Sequence, residues 1–295
     1  MRIFLTGATG FIGSQIIPQL LAAGHKVLGL TRSDTGAKQL AAAGAEVHRG
    51  DLEDPATLRS GAEKADAVIH CAFDHDFSRF VENCKKDKRN IEAIGEALAG
   101  STRPLVVTSG VGMGSRGPGE LAIEEVFHAE NANPRKISEE TGTAVAAARG
   151  VNISYVRLPQ VHDTRKQGLI TPLVELARAK GRVAYLGEGK NRFAAAHVSD
   201  VARLYKLAIE RAEPGARYHA VAEEGVAMRD IAGALGRALK LPVVSLSGDE
   251  AAEYFGWMAM FAGLDIAASS ALTQKKLGWK PVGPGLIADL EKLET

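Results

Sequence analysis

Short apolar segments alternate with amphipathic segments through the first 160 residues of the chain. The apolar segments are almost continuous hydrophobic runs, the pattern of strands that are buried on both faces. The predicted strands are residues 2–6, 26–30, 45–48, 67–70, 104–108 and 151–157. Helical spacing is predicted between them, most clearly over residues 12–21 and 80–98. This alternation predicts an α/β fold with a parallel sheet that binds ligands at the carboxyl ends of its strands.

The rhythm of strands and helices weakens after Gln160. Residues 217–221 are expected to form a strand that returns to the main sheet. The predicted helices of this half are residues 169–180, 198–211, 228–239, 249–262 and 270–277. We therefore expect a smaller, interwoven C-terminal region that closes over the end of the sheet and binds the substrate.

Composition narrows the function classes. The chain has 295 residues, 45% of them hydrophobic, and a net charge of +1. This balance argues against a nucleic-acid surface, which would need a basic stripe. Cys71 and Cys84 do not make a disulfide framework, and no apolar run suggests a leader or a membrane span. A cytoplasmic protein without membrane contact is expected. The histidines are scattered, so no metal site is predicted.

The first strand runs directly into a glycine-rich turn, Thr6-Gly-Ala-Thr-Gly-Phe-Ile-Gly13. Gly7 allows a tight turn, Gly10 allows the backbone to approach a pyrophosphate, and Gly13 lets the next helix pack close to the strand. Amides at the start of that helix favour an anion. Because the strand and the helix are both predicted around the glycines, we interpret the turn as a dinucleotide site.

The residues after the second strand indicate which dinucleotide binds. An NAD site places Asp or Glu there to bind the ribose 2′-hydroxyl. This chain has Arg32, which pairs well with a 2′-phosphate, so NADP is predicted. Asp34 lies close enough in the sequence to keep NAD as the less favoured alternative.

Several motifs, taken together, resemble the extended short-chain dehydrogenase/reductase superfamily. Thr6 to Gly13 matches its TGxxGxxG motif, and Asp51-Leu52 looks like its adenine-contacting pair. The other similar segments are His70-Cys-Ala-Phe73, Val107-Thr-Ser109, Arg157-Leu-Pro-Gln-Val161, Ala196-His-Val-Ser-Asp-Val201 and Leu277-Gly-Trp-Lys-Pro281.

The resemblance implies a Rossmann domain over residues 1–158, to which residues 195–222 return, and a smaller substrate region over residues 159–295. It also implies a homodimer paired through the helices at 80–98 and 133–149. The implied cofactor-binding residues, with Arg32 added from its charge, are Thr6, Gly7, Thr9, Gly10, Phe11, Ile12, Gly13, Arg32, Asp51, Leu52, Cys71, Ala72, Phe73, Thr108, Pro159 and Val161.

One expected feature of the superfamily is missing. Its members use a Tyr as the proton donor or acceptor and a Lys four residues later, on one helix face. No Tyr occurs from Gly110 to Ser154. If Lys136 fills the lysine position, Ala132 fills the tyrosine position; if Asn133 fills the tyrosine position, Ile137 fills the lysine position. The chain therefore resembles an atypical member.

Three residues are the candidate catalytic groups. Ser109 occupies the position of the substrate-orienting hydroxyl, Lys136 could hold the ribose or an anionic group, and His162 follows the sixth strand on the expected substrate side. Each has a plainer alternative, as a loop serine, a solvated first-turn lysine and a solvated loop histidine. His75, Tyr185 and His197 are weaker candidates for the missing donor.

Three functions remain open at this point. The first is an NADP-dependent oxidoreductase that acts on a small organic carbonyl or related unsaturated compound. The second is a nucleotide-sugar epimerase or dehydratase, which the resemblance suggests but the missing Tyr disfavours. The third is an NADP(H)-binding sensor without turnover.

Overall fold

The computed structural model describes residues 1–117 and 119–294, apart from the side chain of Met260. Its strands are β1 (Arg2–Thr6), β2 (Lys26–Thr31), β3 (Glu46–Arg49), β4 (Ala67–His70), β5 (Pro104–Gly110), β6 (Asn152–Leu158), β7 (Gln160–His162), β8 (Val183–Leu186), β9 (Arg192–His197), β10 (Arg217–His219), β11 (Glu223–Ala227) and β12 (Val243–Leu246).

The helices enclose these strands. They are α1 (Gly13–Ala22), α2 (Asp34–Ala42), α3 (Pro55–Glu63), α4 (Phe80–Leu98), α5 (Ile137–Arg149), α6 (Thr171–Lys180), α7 (Val198–Arg211), α8 (Met228–Leu239), α9 (Gly248–Phe255), α10 (Ala259–Ala262), α11 (Ala271–Leu277) and α12 (Leu286–Leu290). Short 3₁₀ turns precede α4, α5, α6 and α10.

Seven parallel strands form the central sheet, in the order β10-β6-β5-β4-β1-β2-β3. Successive side chains of β1 enter different cores, because strand residues alternate between the two faces of a sheet. Ile3 and Leu5 pack in the core under α1 and α7, whereas Phe4 packs in the core under α3 and α4. The predicted α/β fold with a doubly wound parallel sheet is confirmed.

The C-terminal region has its own core and two small sheets, ordered β11-β9-β7 and β12-β8. The predicted return of residues 217–221 to the main sheet is confirmed, since β10 pairs with β6. The predicted continuous helix over 249–262 is wrong: α9 ends at Gly256, whose φ of 51° is left-handed. The sequence interpretation also missed α3, although Asp54 caps it and Pro55 occupies its first position.

A buried ion pair fastens α5 to the end of the sheet. Glu139 and Arg157 are both fully buried and bind through two contacts of 2.7 and 2.8 Å. Arg217 on β10 adds a third contact, 2.8 Å from Glu139 Oε2. Burial alone raises the pKa of Glu139, but the two arginines outweigh burial and lower that pKa below its ordinary value.

We expect Glu139→Gln to lower the free energy of unfolding by about 3 kcal/mol, because it leaves the buried Arg157 without its charge partner. Urea titration measures the change. Glu140→Gln is the matched control: Glu140 is exposed and lies 3.6 Å from Lys136 Nζ, so a change within about 0.5 kcal/mol is expected.

The pH dependence of the same variants gives a second readout. The pKa of Glu139 is lower in the folded chain, so its contribution is complete above the ordinary carboxyl pKa and is lost as the pH falls through the folded value. The stability gap between the wild type and Glu139→Gln should therefore narrow on acidification. A gap that widens, or equal losses in the two variants, would contradict this account.

Candidate functional site

The glycine turn lies against the end of β4 with no room for side chains. Gly7 has a φ of 69°, and a Cβ on it would lie 2.9 Å from the backbone nitrogen of Ala72. A Cβ on Gly13 would lie 2.1 Å from the carbonyl oxygen of Gly7. Real Cβ atoms do not approach backbone this closely, so both positions require glycine. The turn is therefore a bare backbone cradle, as a pyrophosphate site needs.

The amino end of α1 opens onto this cradle. The structure describes α1 in full, and neither a capping side chain nor an acidic first-turn residue neutralises its first amides. These amides therefore remain donors for an anion, and the helix dipole favours negative charge at the same place. The residues present fit the diphosphate of a dinucleotide.

A chain of polar contacts runs from the end of β1 to α4. Thr6 Oγ1 accepts from the backbone nitrogen of Ala72 at 3.1 Å and lies 2.8 Å from His70 Nδ1. The other ring nitrogen of His70 lies 3.0 Å from Asp87 Oδ1. These buried contacts fix the carboxyl ends of β1 and β4 relative to α4.

Asp87 in turn fixes a cation at the edge of the sheet. Arg135, in the 3₁₀ turn before α5, donates to Asp87 Oδ2 at 2.5 Å and to the carbonyl oxygen of Thr108 at 3.2 Å. Its guanidinium also lies 4.0 Å from the centroid of the Phe73 ring. Burial raises the pKa of Asp87, but Arg135 and His70 outweigh burial and hold it well below its ordinary value. The carboxylate therefore stays charged and orients the guanidinium.

Arg135 was not among the committed catalytic candidates, and the structure favours it over Lys136. The Lys136 ammonium points away, donating to the carbonyl oxygen of Ala129 at 2.5 Å and lying 3.6 Å from Glu140. With Arg135 in the lysine position, the tyrosine position four residues earlier holds Asn131. The Asn131 amide donates to the carbonyl oxygen of Gly112 at 3.0 Å. The signal that sequence reasoning could have used is this third register of the same spacing.

Ser109 and Thr108 end β5 on opposite faces of the sheet. Thr108 Oγ1 donates to the carbonyl oxygen of His70 at 2.7 Å and lies 2.6 Å from the Tyr205 hydroxyl. Ser109 is buried, and its Oγ has no hydrogen-bond partner among the described residues. Ser109 lies near Glu139 without reaching hydrogen-bonding geometry. Its predicted role in orienting substrate stays a prediction.

His162 does not lie where the sequence interpretation expected it. It is fully buried in β7, and its Nδ1 is 2.7 Å from Asp289 Oδ2 on α12. Its ring also packs edge-on against His197, with centroids 5.8 Å apart. Burial lowers the pKa of His162, so the imidazole is neutral near pH 7. These contacts make His162 an internal link to the C-terminal helix rather than a residue at a substrate entrance.

Charged residues gather at the end of β2. The Arg32 side chain is 80% exposed, with one guanidinium nitrogen 3.7 Å from Asp51 Oδ2. Asp34 forms an ion pair with Arg49 at the end of the neighbouring β3. The acidic group that would keep NAD as an alternative is thus already paired with an arginine.

The remaining predicted cofactor contacts divide into two groups. Those that line the turn or follow β4 lie at the carboxyl edge of the sheet; they are Thr9, Gly10, Phe11, Ile12, Cys71, Ala72 and Phe73. Lys166 Nζ lies 5.9 Å from the Phe11 ring. Leu52 and Val161 pack against or within the cores, and Pro159 lies between β6 and β7. Burial raises the pKa of Cys71 to about 11, so its thiol is not a nucleophile at neutral pH.

Two further searches cover the described residues alone. Across 1–117 and 119–294, no three His, Cys, Asp or Glu side chains are placed to hold a metal ion. Within the same ranges, every helix is too short or too polar to cross a bilayer.

Comparison with known proteins agrees with this geometry. An uncharacterized protein of Schizosaccharomyces pombe is 47% identical over 291 residues, or 98% of each chain. One of Saccharomyces cerevisiae is 37% identical and also covers 98% of each chain. A 2-alkyl-3-oxoalkanoate reductase of Stenotrophomonas maltophilia is 29% identical over 73% of this chain and 67% of its own.

Solved structures share the fold. The dTDP-glucose 4,6-dehydratase DesIV of Streptomyces venezuelae, with NAD and TYD bound, superposes with a TM-score of 0.78 at 18% identity, covering 99% of this chain and 95% of its own. The sequence model of the NAD dependent epimerase/dehydratase family matches residues 3–222. Because this match spans most of the chain and includes the glycine cradle, the protein belongs to the NAD dependent epimerase/dehydratase family, in the extended short-chain dehydrogenase/reductase superfamily.

Proposed function

We propose that this protein is an NADP-dependent oxidoreductase that reduces a small organic carbonyl compound. The observation that carries the proposal is the fixed guanidinium of Arg135 at the carboxyl edge, where the superfamily has its Tyr and Lys. When bound, the cofactor supplies the hydride; the protein has to orient the substrate and stabilise the charge that develops on its oxygen.

The proposed roles of the residues follow from their contacts. The amides of the glycine turn would hold the diphosphate of the cofactor. Arg135, oriented by Asp87, would bind the nicotinamide ribose or the substrate oxygen with a charge that persists at any working pH. An arginine is too weak an acid to replace Tyr as a donor, so the proton would come from water. Ser109 stays the proposed substrate-orienting hydroxyl.

The choice of NADP rests on the end of β2. Arg32 is exposed and only loosely paired, whereas Asp34 is bound to Arg49. A 2′-phosphate can therefore recruit Arg32 without breaking a short contact, while a ribose 2′-hydroxyl would have to compete for Asp34.

Nucleotide-sugar epimerisation or dehydration is the second candidate. The structural likeness to a dTDP-glucose dehydratase favours it. Those reactions remove a proton from a sugar hydroxyl, for which the superfamily uses its Tyr, and here that position holds Asn131. The name of the Stenotrophomonas reductase supports carbonyl reduction instead.

One assay separates the candidates. The purified protein is incubated with NADPH and a panel of aldehydes and ketones, and separately with NADP⁺ or NAD⁺ and nucleotide sugars. NADPH oxidation that depends on a carbonyl compound supports the proposal. Sugar conversion without net redox change favours the second candidate, and cofactor binding without any turnover favours a sensor.

Replacing Arg32 tests the cofactor preference. We expect Arg32→Ala to weaken NADPH binding about 10-fold or more and to leave NADH binding nearly unchanged, because one charge-assisted contact to the 2′-phosphate is lost. Fluorescence titration of the nicotinamide gives both affinities. The control is Arg59→Ala, which removes an exposed arginine paired with Glu63 on α3. An unchanged NADPH to NADH affinity ratio would refute the role of Arg32.

Neighbouring cations test the assignment of Arg135. We expect Arg135→Ala to lower kcat/KM by about 100-fold, since it removes a positioned charge, and Arg135→Lys to recover part of that loss. Lys136→Ala is the matched control and should retain activity. Steady-state rates with the best carbonyl substrate give the comparison. The reverse pattern, an active Arg135→Ala and an inactive Lys136→Ala, would restore Lys136 as the catalytic candidate.

A further inference from the structure

Five aromatic side chains form a continuous surface, here called the aromatic wall, between the segment after β4 and the C-terminal region. Phe77 stacks on Trp257 with ring centroids 5.9 Å apart and 18° between the planes. Phe77 also packs edge-on against Phe261 at 5.2 Å. Phe80 lies 5.7 Å from Phe77 and 6.2 Å from Phe73. The wall therefore bridges two segments that are distant in the sequence.

The wall is more open than the aromatic residues of a core. Trp257 is 56% exposed, and Phe73, Phe77 and Phe80 are half-buried. Phe261 is buried and anchors the wall in the C-terminal core. Several large apolar faces left accessible together are typical of a binding surface rather than of ordinary protein surface.

The wall begins at the reactive edge of the sheet. The Arg135 guanidinium lies 4.0 Å over the ring of Phe73 and donates to the carbonyl oxygen of Thr108, at the end of β5. A substrate whose oxygen faces Arg135 thus has aromatic rings beside the rest of its body. One polar anchor next to apolar faces suits a flat molecule with a single polar group.

Charges in the C-terminal region do not favour a diphosphate. Arg192 binds Asp265 with a contact of 2.8 Å, and Arg182 lies 3.5 Å from Glu250. An arginine that already holds a carboxylate has to break that pair before it can bind a phosphate. These pairs argue against a nucleotide sugar in contact with Arg182 or Arg192.

We propose that the aromatic wall binds the flat apolar body of an uncharged aryl aldehyde or aryl ketone, with its carbonyl oxygen directed toward Arg135. This inference rests on the proposed function and names its substrate class. In the reaction, the carbonyl carbon gains a hydride from NADPH and the carbon–oxygen π bond breaks. The oxygen keeps that electron pair and takes a proton from water, which leaves an aryl alcohol and NADP⁺.

The first test compares 2-naphthaldehyde with butanal. Trp257→Ala should raise the KM for 2-naphthaldehyde about 10-fold, because a stacking face and its apolar area are lost. Trp257→Phe should restore most of the affinity. The kcat/KM for butanal and the Kd for NADPH should change less than about 2-fold. The control, Val282→Ala, removes an apolar side chain that is 78% exposed and should change none of these values.

Direct binding separates the wall from turnover. Calorimetric titration of the NADP⁺-loaded protein with 2-naphthalenemethanol, the expected product, should show binding that Trp257→Ala weakens about 10-fold. Equal effects of Trp257→Ala on both aldehydes, or no effect on either ligand, would overturn the wall as a substrate site and leave the proposed function standing. Binding of the alcohol without any carbonyl-dependent NADPH oxidation would sustain the wall and overturn the proposed function.

Discussion

The close approach of two stretches of backbone determines the architecture of the site. The turn after β1 presses against the end of β4 so tightly that Gly7 and Gly13 cannot carry a Cβ. This contact brings the amino end of α1 to the carboxyl edge of the sheet with its amides uncapped. A diphosphate held there has to extend along the edge formed by β4 and β5. The other polar groups of the site acquire a function through that placement.

Asp87 organises the second half of the site. A buried carboxylate is costly unless it is paired, and here one oxygen faces His70 while the other binds Arg135 and Ser138. The same group thus connects the strand ends to the turn before α5. A cation held this way needs little reorganisation when charge develops on a substrate oxygen. The aromatic wall extends from this cation toward the C-terminal region.

Local patterns carried the sheet, and longer-range packing decided the rest. Apolar runs and glycine spacing predict β1, the cradle and the return of β10, since each depends on a few adjacent residues. The choice between Lys136 and Arg135 depends on how the turn before α5 is rotated, which spacing alone does not fix. His162 was misplaced because its burial comes from Asp289, far along the chain. The aromatic wall likewise joins distant segments, so no single stretch predicts it.

The most direct test of this account is a calorimetric titration of the wild-type protein with NADPH. The bare amides at the start of α1, together with Arg32, predict saturable binding at one site per chain, with a dissociation constant in the micromolar range or tighter, about −8 kcal/mol. The absence of saturable binding of either NADPH or NADH, up to about 1 mM, would contradict the account at its base.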